Sequence, residues 1–293
     1  MHEMAMMIRK QFGEGDAIRD AGLTTPDDIE RFDDIAYGDD PQWQMLDVYR
    51  PKGAELPLPV IVSIHGGGWV YGDKERYQWY CMSLAQRGFC VVNFTYRLAP
   101  EFQFPASMED TCAVFQWTLD HIAAYGGDVD HVFAVGDSAG GHMLGMFSNM
   151  CTNPAYRAKF DFAPPEGFIP TAVALNCGAF QIAITGDPED LTSALMADYL
   201  PNGGDERELD LVNVAPHVTA AFPPAFIMTC DGDFLHDAAE PLSKLLRELE
   251  VCHELHVYGG VGEPLGHVFH CNMRSEDARR CNDDECRFFR RFL

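Results

Sequence analysis

Positive charge is scarce in this chain. Its 293 residues carry 21 Lys and Arg against 45 Asp and Glu, a net charge of −24. A surface this acidic repels phosphate backbones and anionic headgroups, which excludes nucleic acid and membrane as partners. Long apolar runs are missing as well. No stretch reaches the roughly 18 apolar residues of a membrane-crossing helix. The first apolar stretch, residues 4–8, is too short for a signal-peptide core, which points to a cytoplasmic protein. The ten cysteines include no C-x-x-C pair, and Cys271, Cys281 and Cys286 lack metal-ligand spacing. They read as free thiols in a reducing compartment, and neither a metal nor an organic cofactor is implied. Apolar side chains, by contrast, are plentiful: 47% of residues are hydrophobic and 23% charged, ample for a folded core.

Short apolar runs alternate with helical patterns along the chain. Strand-like runs stand at 43–50, 60–64, 90–94, 131–135, 171–175, 225–229 and 254–258. Helical patterns fill 76–87, 107–125, 139–150, 238–249 and 283–292. This order predicts an α/β fold with a mostly parallel sheet and helices on both faces. The run at 43–50 ends at Pro51 and is expected at an edge. Residues 1–40 read as helical turns outside the sheet, with Thr25 capping a short helix that has Pro26 in its first turn. Residues 178–216 lose the rhythm and hold Gly178, Gly186, Pro188, Pro201, Gly203, Gly204 and Pro216. A loop that long in a compact domain is usually functional.

Two motifs carry chemistry. Gly136-Asp137-Ser138-Ala139-Gly140-Gly141 contains G-x-S-x-G between a strand run and a helix run. That context makes a sharp turn that lifts the serine hydroxyl out of the sheet. His65-Gly66-Gly67-Gly68-Trp69 follows another strand run. Its flexible backbone can aim N–H groups at a developing oxyanion. A serine nucleophile needs a base, and the base needs an orienting carboxylate. In such sheets the functional loops follow the carboxyl ends of strands. Asp231, Asp233 and Asp237 follow the run at 225–229, and His267 and His270 follow the last run, which itself holds His256. The order Ser, Asp, His suits Ser138, Asp233 and His267, with the other acids and histidines as rivals.

These stretches, with Tyr96-Arg97-Leu98-Ala99-Pro100-Glu101 and Phe104-Pro105-Ala106 before Asp110, resemble the α/β-hydrolase superfamily. The resemblance is to its H-G-G-G branch, the hormone-sensitive-lipase-like carboxylesterases, and to bacterial acetyl- and feruloyl-esterase-like enzymes. It spans about residues 45–293. The family's D-P-L-x-D context falls on Asp233-Phe234-Leu235-His236-Asp237 with phenylalanine for proline, and its H-G-F on His267-Val268-Phe269 with valine for glycine. The resemblance implies Ser138 as nucleophile, His267 as general base and then acid, and Asp233 as orienting carboxylate. It implies oxyanion donors at the backbone N–H groups of Gly67, Gly68 and Ala139, with His65 organising the loop. Arg97 and Glu101 are expected to be structural. Trp69, Tyr71, Trp79 and Tyr80 are candidates either for the substrate pocket or for the core.

The expected protein is a single domain over residues 1–293, with 1–40 a cap-like segment and 178–216 a cap insert. It would hydrolyse soluble small-molecule esters, acetyl to about hexanoyl, because each methylene gains about 0.8 kcal/mol only while the pocket can bury it. Acetylated sugars and aryl esters are substrates by resemblance. An amidase or arylformamidase on the same fold is one rival; a non-catalytic ligand-binding relative is the other. A homo-oligomer is left open.

Overall fold

The structure is a computed structural model that describes residues 3–185, 187, 190–260 and 262–293. Gly186 and Pro188 of the glycine- and proline-rich insert lie outside the described residues, as do Met1 and His2. The chain runs α1 (Glu3–Asp20), β1 (Ile29–Ala36), β2 (Met45–Pro51), β3 (Leu58–Ile64), α2 (Lys74–Gln86), β4 (Cys90–Phe94) and α3 (Ala106–His121). It continues with β5 (Gly127–Asp137), α4 (Ala139–Thr152), α5 (Pro154–Arg157), β6 (Val173–Asn176), α6 (Leu191–Tyr199) and α7 (Glu206–Val212). It ends with β7 (Ala225–Cys230), α8 (Ala239–Glu248), β8 (His253–Tyr258) and α9 (Glu276–Phe289). No helix among the described residues is long and apolar enough to cross a membrane.

Among the described residues, eight strands form one sheet in the order β1-β2-β4-β3-β5-β6-β7-β8. β1 and β2 pair antiparallel, as do β2 and β4, and every other pair is parallel. The strands alternate two buried faces. Val60, Val62 and Ile64 of β3 join one core with Phe115 of α3, Phe147 of α4 and Leu246 of α8. Ile61 joins the other with Leu84 of α2 and Phe288 of α9. Burying each such side chain contributes about 1.5–3 kcal/mol, so the sheet is held from both sides. The parallel strands β3, β5, β6, β7 and β8 all end at the same sheet edge. This delivers His65, Ser138, Cys177, the Asp233 turn and the His267 loop to one place.

Three expectations are corrected. The Thr25–Pro26 helix does not form. The chain turns there and enters β1, whose Ile29 is buried and whose Phe32 and Ile35 pack on the core. β1, not the run at 43–50, is therefore the edge strand. Its acidic bulge at Asp34 is tied by Lys74, which reaches Asp34 at 2.7 Å and Asp47 at 2.9 Å. The last helix begins at Glu276 rather than 283, capped by Ser275, whose side chain accepts from the Ala278 N–H. Its early turns are mostly charged, yet Ala278 and Cys281 face the core.

Candidate active site

Ser138 sits between β5 and α4 with φ 52° and ψ −118°, a conformation that costs strain in any non-glycine residue. The turn is held by its neighbours: the Ser138 N–H donates to the Asn176 carbonyl at 2.9 Å, and the His142 N–H donates to the Ser138 carbonyl at 3.0 Å. The tightness requires Gly140. A Cβ there would lie 2.0 Å from the Ile64 carbonyl oxygen, so any side chain would push α4 off β3. Ala139 opens α4, whose N-terminus carries the positive end of the helix dipole.

The turn after β7 holds Asp233, whose side chain is fully buried. Its Oδ1 accepts the Leu235 N–H at 2.9 Å and its Oδ2 the Thr229 hydroxyl at 2.9 Å. His267 Nδ1 lies 2.6 Å from Oδ1. Burial pushes the Asp233 carboxyl upward, but the hydrogen bond and charge of His267 and the Leu235 N–H hold it below the ordinary value. The rivals lie elsewhere. The Asp231 carboxylate accepts the N–H groups of Gly260 and Leu265, both at 2.8 Å, and so shapes the loop before His267. Asp237 stands in a 3-10 turn. His256 pairs with Glu254 on β8. His270 is buried, and burial pulls its pKa down to about 3.

The loop after β3 folds against the same edge. His65 is buried and stacks on Tyr96 with ring centres 4.0 Å apart. Burial holds it neutral, with its pKa lowered to about 4. Its Nδ1 lies 2.8 Å from the Gly66 carbonyl. Gly67 has φ 116°, and a Cβ there would meet the Tyr71 carbonyl at 2.1 Å. Among the described residues, no protein acceptor takes the N–H of Gly67 or Gly68. A link invisible in the sequence joins this loop to the serine turn. The Tyr77 hydroxyl donates to Asp137 Oδ2 at 2.7 Å and accepts the Gly66 N–H at 3.0 Å. Burial raises the Asp137 pKa to about 6.

One cavity of about 270 Å³ is lined by Gly67, Tyr71, Asp137, Ser138, Phe234 and His267 together. α1 closes its far wall with Phe12, Asp16 and Arg19. The Tyr71 hydroxyl donates to Asp16 Oδ2 at 2.8 Å, and Arg19 pairs with Asp16 at 2.9 Å. α6 packs on the loop, its Leu195 3.2 Å from where a Gly68 Cβ would stand. The sequence implies a cap-like segment over 1–40 without singling out Phe12, Asp16 or Arg19, and the i, i+4 spacing of Ile8 and Phe12 is a signal that could have marked this helix. Of the aromatic candidates, Tyr71 lines the cavity. Trp69 does not: it is 5% exposed, donates to His142 Nδ1 at 3.2 Å and stacks on Tyr199. Tyr80 is buried with its hydroxyl on Glu285, and Trp79 borders a separate cavity with Leu23. Arg97 pairs with Asp110, and Arg9 with Glu101.

Among the described residues, two side-chain groups bring metal-type ligand atoms within 4.8 Å: Asp137, His270 and Cys271, and Cys177, Asp233 and His267. In the second the carboxylate and imidazole are already bonded to each other. The arrangement as a whole sets a strained hydroxyl, a carboxylate–imidazole pair and free backbone N–H groups around one small cavity. These are the parts that acyl transfer requires.

The profile of a family described as alpha/beta hydrolase fold matches residues 61–271. Esterase LipC of Mycobacterium tuberculosis is 33% identical over 178 residues, 60% of this chain and 43% of that protein. Carboxylesterase NlhH of the same species is 31% identical over 220 residues, 71% of this chain and 66% of that protein. The chain thus spans less than half of the first relative and about two thirds of the second. The crystal structure of esterase B from Lactobacillus rhamnosis superposes with a TM-score of 0.88 at 26% identity, covering 99% of this chain and 95% of that one. With the profile spanning most of the chain and the fold shared throughout, the protein belongs to the alpha/beta hydrolase family, in its hormone-sensitive-lipase-like carboxylesterase branch.

Proposed function

We propose that this chain is a serine carboxylesterase that hydrolyses soluble short-chain esters through an acyl-enzyme. The observation that carries the reading is the 2.6 Å contact between His267 Nδ1 and Asp233 in the wall of the cavity that also exposes Ser138. In this reading His267 takes the Ser138 proton as Oγ attacks the ester carbonyl. Asp233 fixes the tautomer with the proton on Nδ1 and stabilises the imidazolium that forms. The N–H groups of Gly67, Gly68 and Ala139 receive the developing oxyanion, each such donor being worth about 10²- to 10³-fold. His267 then protonates the departing alcohol, and water, activated by the same imidazole, releases the acid.

Small substrates are favoured by the cavity's size. About 270 Å³ lies just under the roughly 300–1,000 Å³ of ordinary small-molecule sites. We read α1 and the pieces of 178–216 as the cap of a single domain: α1 walls this cavity, and α6 packs on the Gly68 loop beside it. The net charge of −24 supports an enzyme with neither nucleic-acid nor membrane partner.

The test is Ser138→Ala. It should lower kcat on p-nitrophenyl acetate by about 10⁴- to 10⁶-fold and abolish fluorophosphonate labelling, with the fold intact. A variant that keeps a tenth of the activity rules this serine out.

A further inference from the structure

Phe234 is the anomaly of the site. It stands where the family pattern has proline, and it is a large apolar side chain left 61% exposed beside the buried Asp233. Its ring lies against the His267 ring, with centres 4.2 Å apart and planes at 40°. Its position is set by the turn that holds the catalytic acid: the Leu235 N–H donates to Asp233 Oδ1, and the His236 N–H to the Asp233 carbonyl at 3.0 Å. The turn thus fixes the Phe234 backbone, and the ring packs on His267. It is also a wall shared by two spaces. On one side is the cavity with Ser138. On the other is an open groove of about 500 Å³ lined by Phe180, Leu235, Pro241 and Leu242.

We propose that Phe234 is a specificity-determining residue that reads the alcohol half of the ester and favours alcohols bearing an aromatic ring. The inference rests on the esterase reading above. Its logic is positional. His267 must hand its proton to the alcohol oxygen, so the alcohol's first carbons leave the reacting centre on the His267 side. Phe234 is packed on that imidazole and so flanks the alcohol rather than the acyl chain. An aromatic alcohol one carbon removed from the ester oxygen meets an exposed ring already packed on His267, with the apolar groove beyond it. An aromatic pair gains over an aliphatic one of equal size through offset or edge-on ring geometry, which corresponds to about two- to tenfold in kcat/KM. Filling the groove also covers the exposed Phe234 surface, which an acetate ester of a short alcohol leaves wet.

The experiment compares benzyl acetate with cyclohexylmethyl acetate. Both have the same acyl group, nearly the same size and a primary alcohol as leaving group, so their ratio isolates the ring. The wild-type ratio of kcat/KM, benzyl over cyclohexylmethyl, is expected at about two- to tenfold. Phe234→Ala and Phe234→Leu should bring it close to one, while Phe234→Tyr should preserve it. A wild-type ratio near one overturns the inference. So does an Ala variant that loses activity equally on both esters, because Phe234 would then only cover His267. If the wild type cleaves neither ester and Ser138 takes no fluorophosphonate, the esterase reading itself falls and this inference falls with it. An active enzyme whose ratio ignores position 234 overturns the inference alone.

Discussion

Replacing Asp233 by Asn tests the orienting carboxylate with little change of shape. Three donors converge on Asp233: His267 Nδ1 and the Leu235 N–H on Oδ1, and the Thr229 hydroxyl on Oδ2. An amide offers one carbonyl oxygen and one NH₂. The Thr229 hydroxyl can rotate to accept from the NH₂, whereas the Leu235 N–H cannot. The Asn carbonyl should therefore face Leu235 and His267, and the imidazole should keep its tautomer. What is lost is the negative charge opposite the imidazolium of the transition state. Two unit charges about 4 Å apart at an effective dielectric of about 20 interact by about 4 kcal/mol. At about 1.36 kcal/mol per decade this is about 10³-fold in kcat. KM should change little, because the imidazolium exists only as the reaction proceeds. The assay is kcat and KM on p-nitrophenyl acetate, with a thermal melt to show that the variant is folded. A loss below tenfold would refute the reasoning. So would Asp231→Asn matching it, because Asp231 binds only loop N–H groups.

Two further outcomes are expected. Gly67→Ala places a Cβ 2.1 Å from the Tyr71 carbonyl at a φ of 116°, so the loop must move. The expected loss is about 10²- to 10³-fold in kcat together with a lowered melting temperature, and an undiminished kcat would show that Gly67 is no oxyanion donor. Asp137→Asn probes burial. Folding raises the Asp137 pKa to about 6, against about 3.9 in the unfolded chain. Between these values the unfolded chain ionises and the folded one does not, so stability is lost as pH rises through the window, at most about 3 kcal/mol. Asn escapes that loss and can still accept the Tyr77 hydroxyl. Its melting temperature relative to wild type should rise from pH 4 to pH 7.5, and a difference that falls instead would reverse the sign of the argument.

The local halves of the site were legible because each is a local physical demand. A strand, a serine between small residues and a helix announce the turn at Ser138, and a glycine run after a strand announces the loop at Gly67. Trp69 was ambiguous because a tryptophan beside such a loop serves pocket or core equally. Its direction depends on His142 and Tyr199, which lie far along the chain. β1 was missed for a related reason. Its alternation is diluted by Asp33 and Asp34, whose charges are met by Arg31 on the same strand and by Lys74 from α2, beside the β2 partner.

By itself, then, the amino-acid order determined the alternation of strands and helices, the serine turn, the glycine loop and the acidic surface, since these follow from periodicity, backbone sterics and charge. Tertiary structure alone decided which acid meets which histidine, that Tyr77 ties Asp137 to the oxyanion loop, and that α1 walls the cavity. Parallel strands carry their ends to one edge from positions up to about 200 residues apart, and α1 reaches that edge from the chain's beginning. Such meetings depend on register and packing across the whole sheet, which no short window of sequence contains.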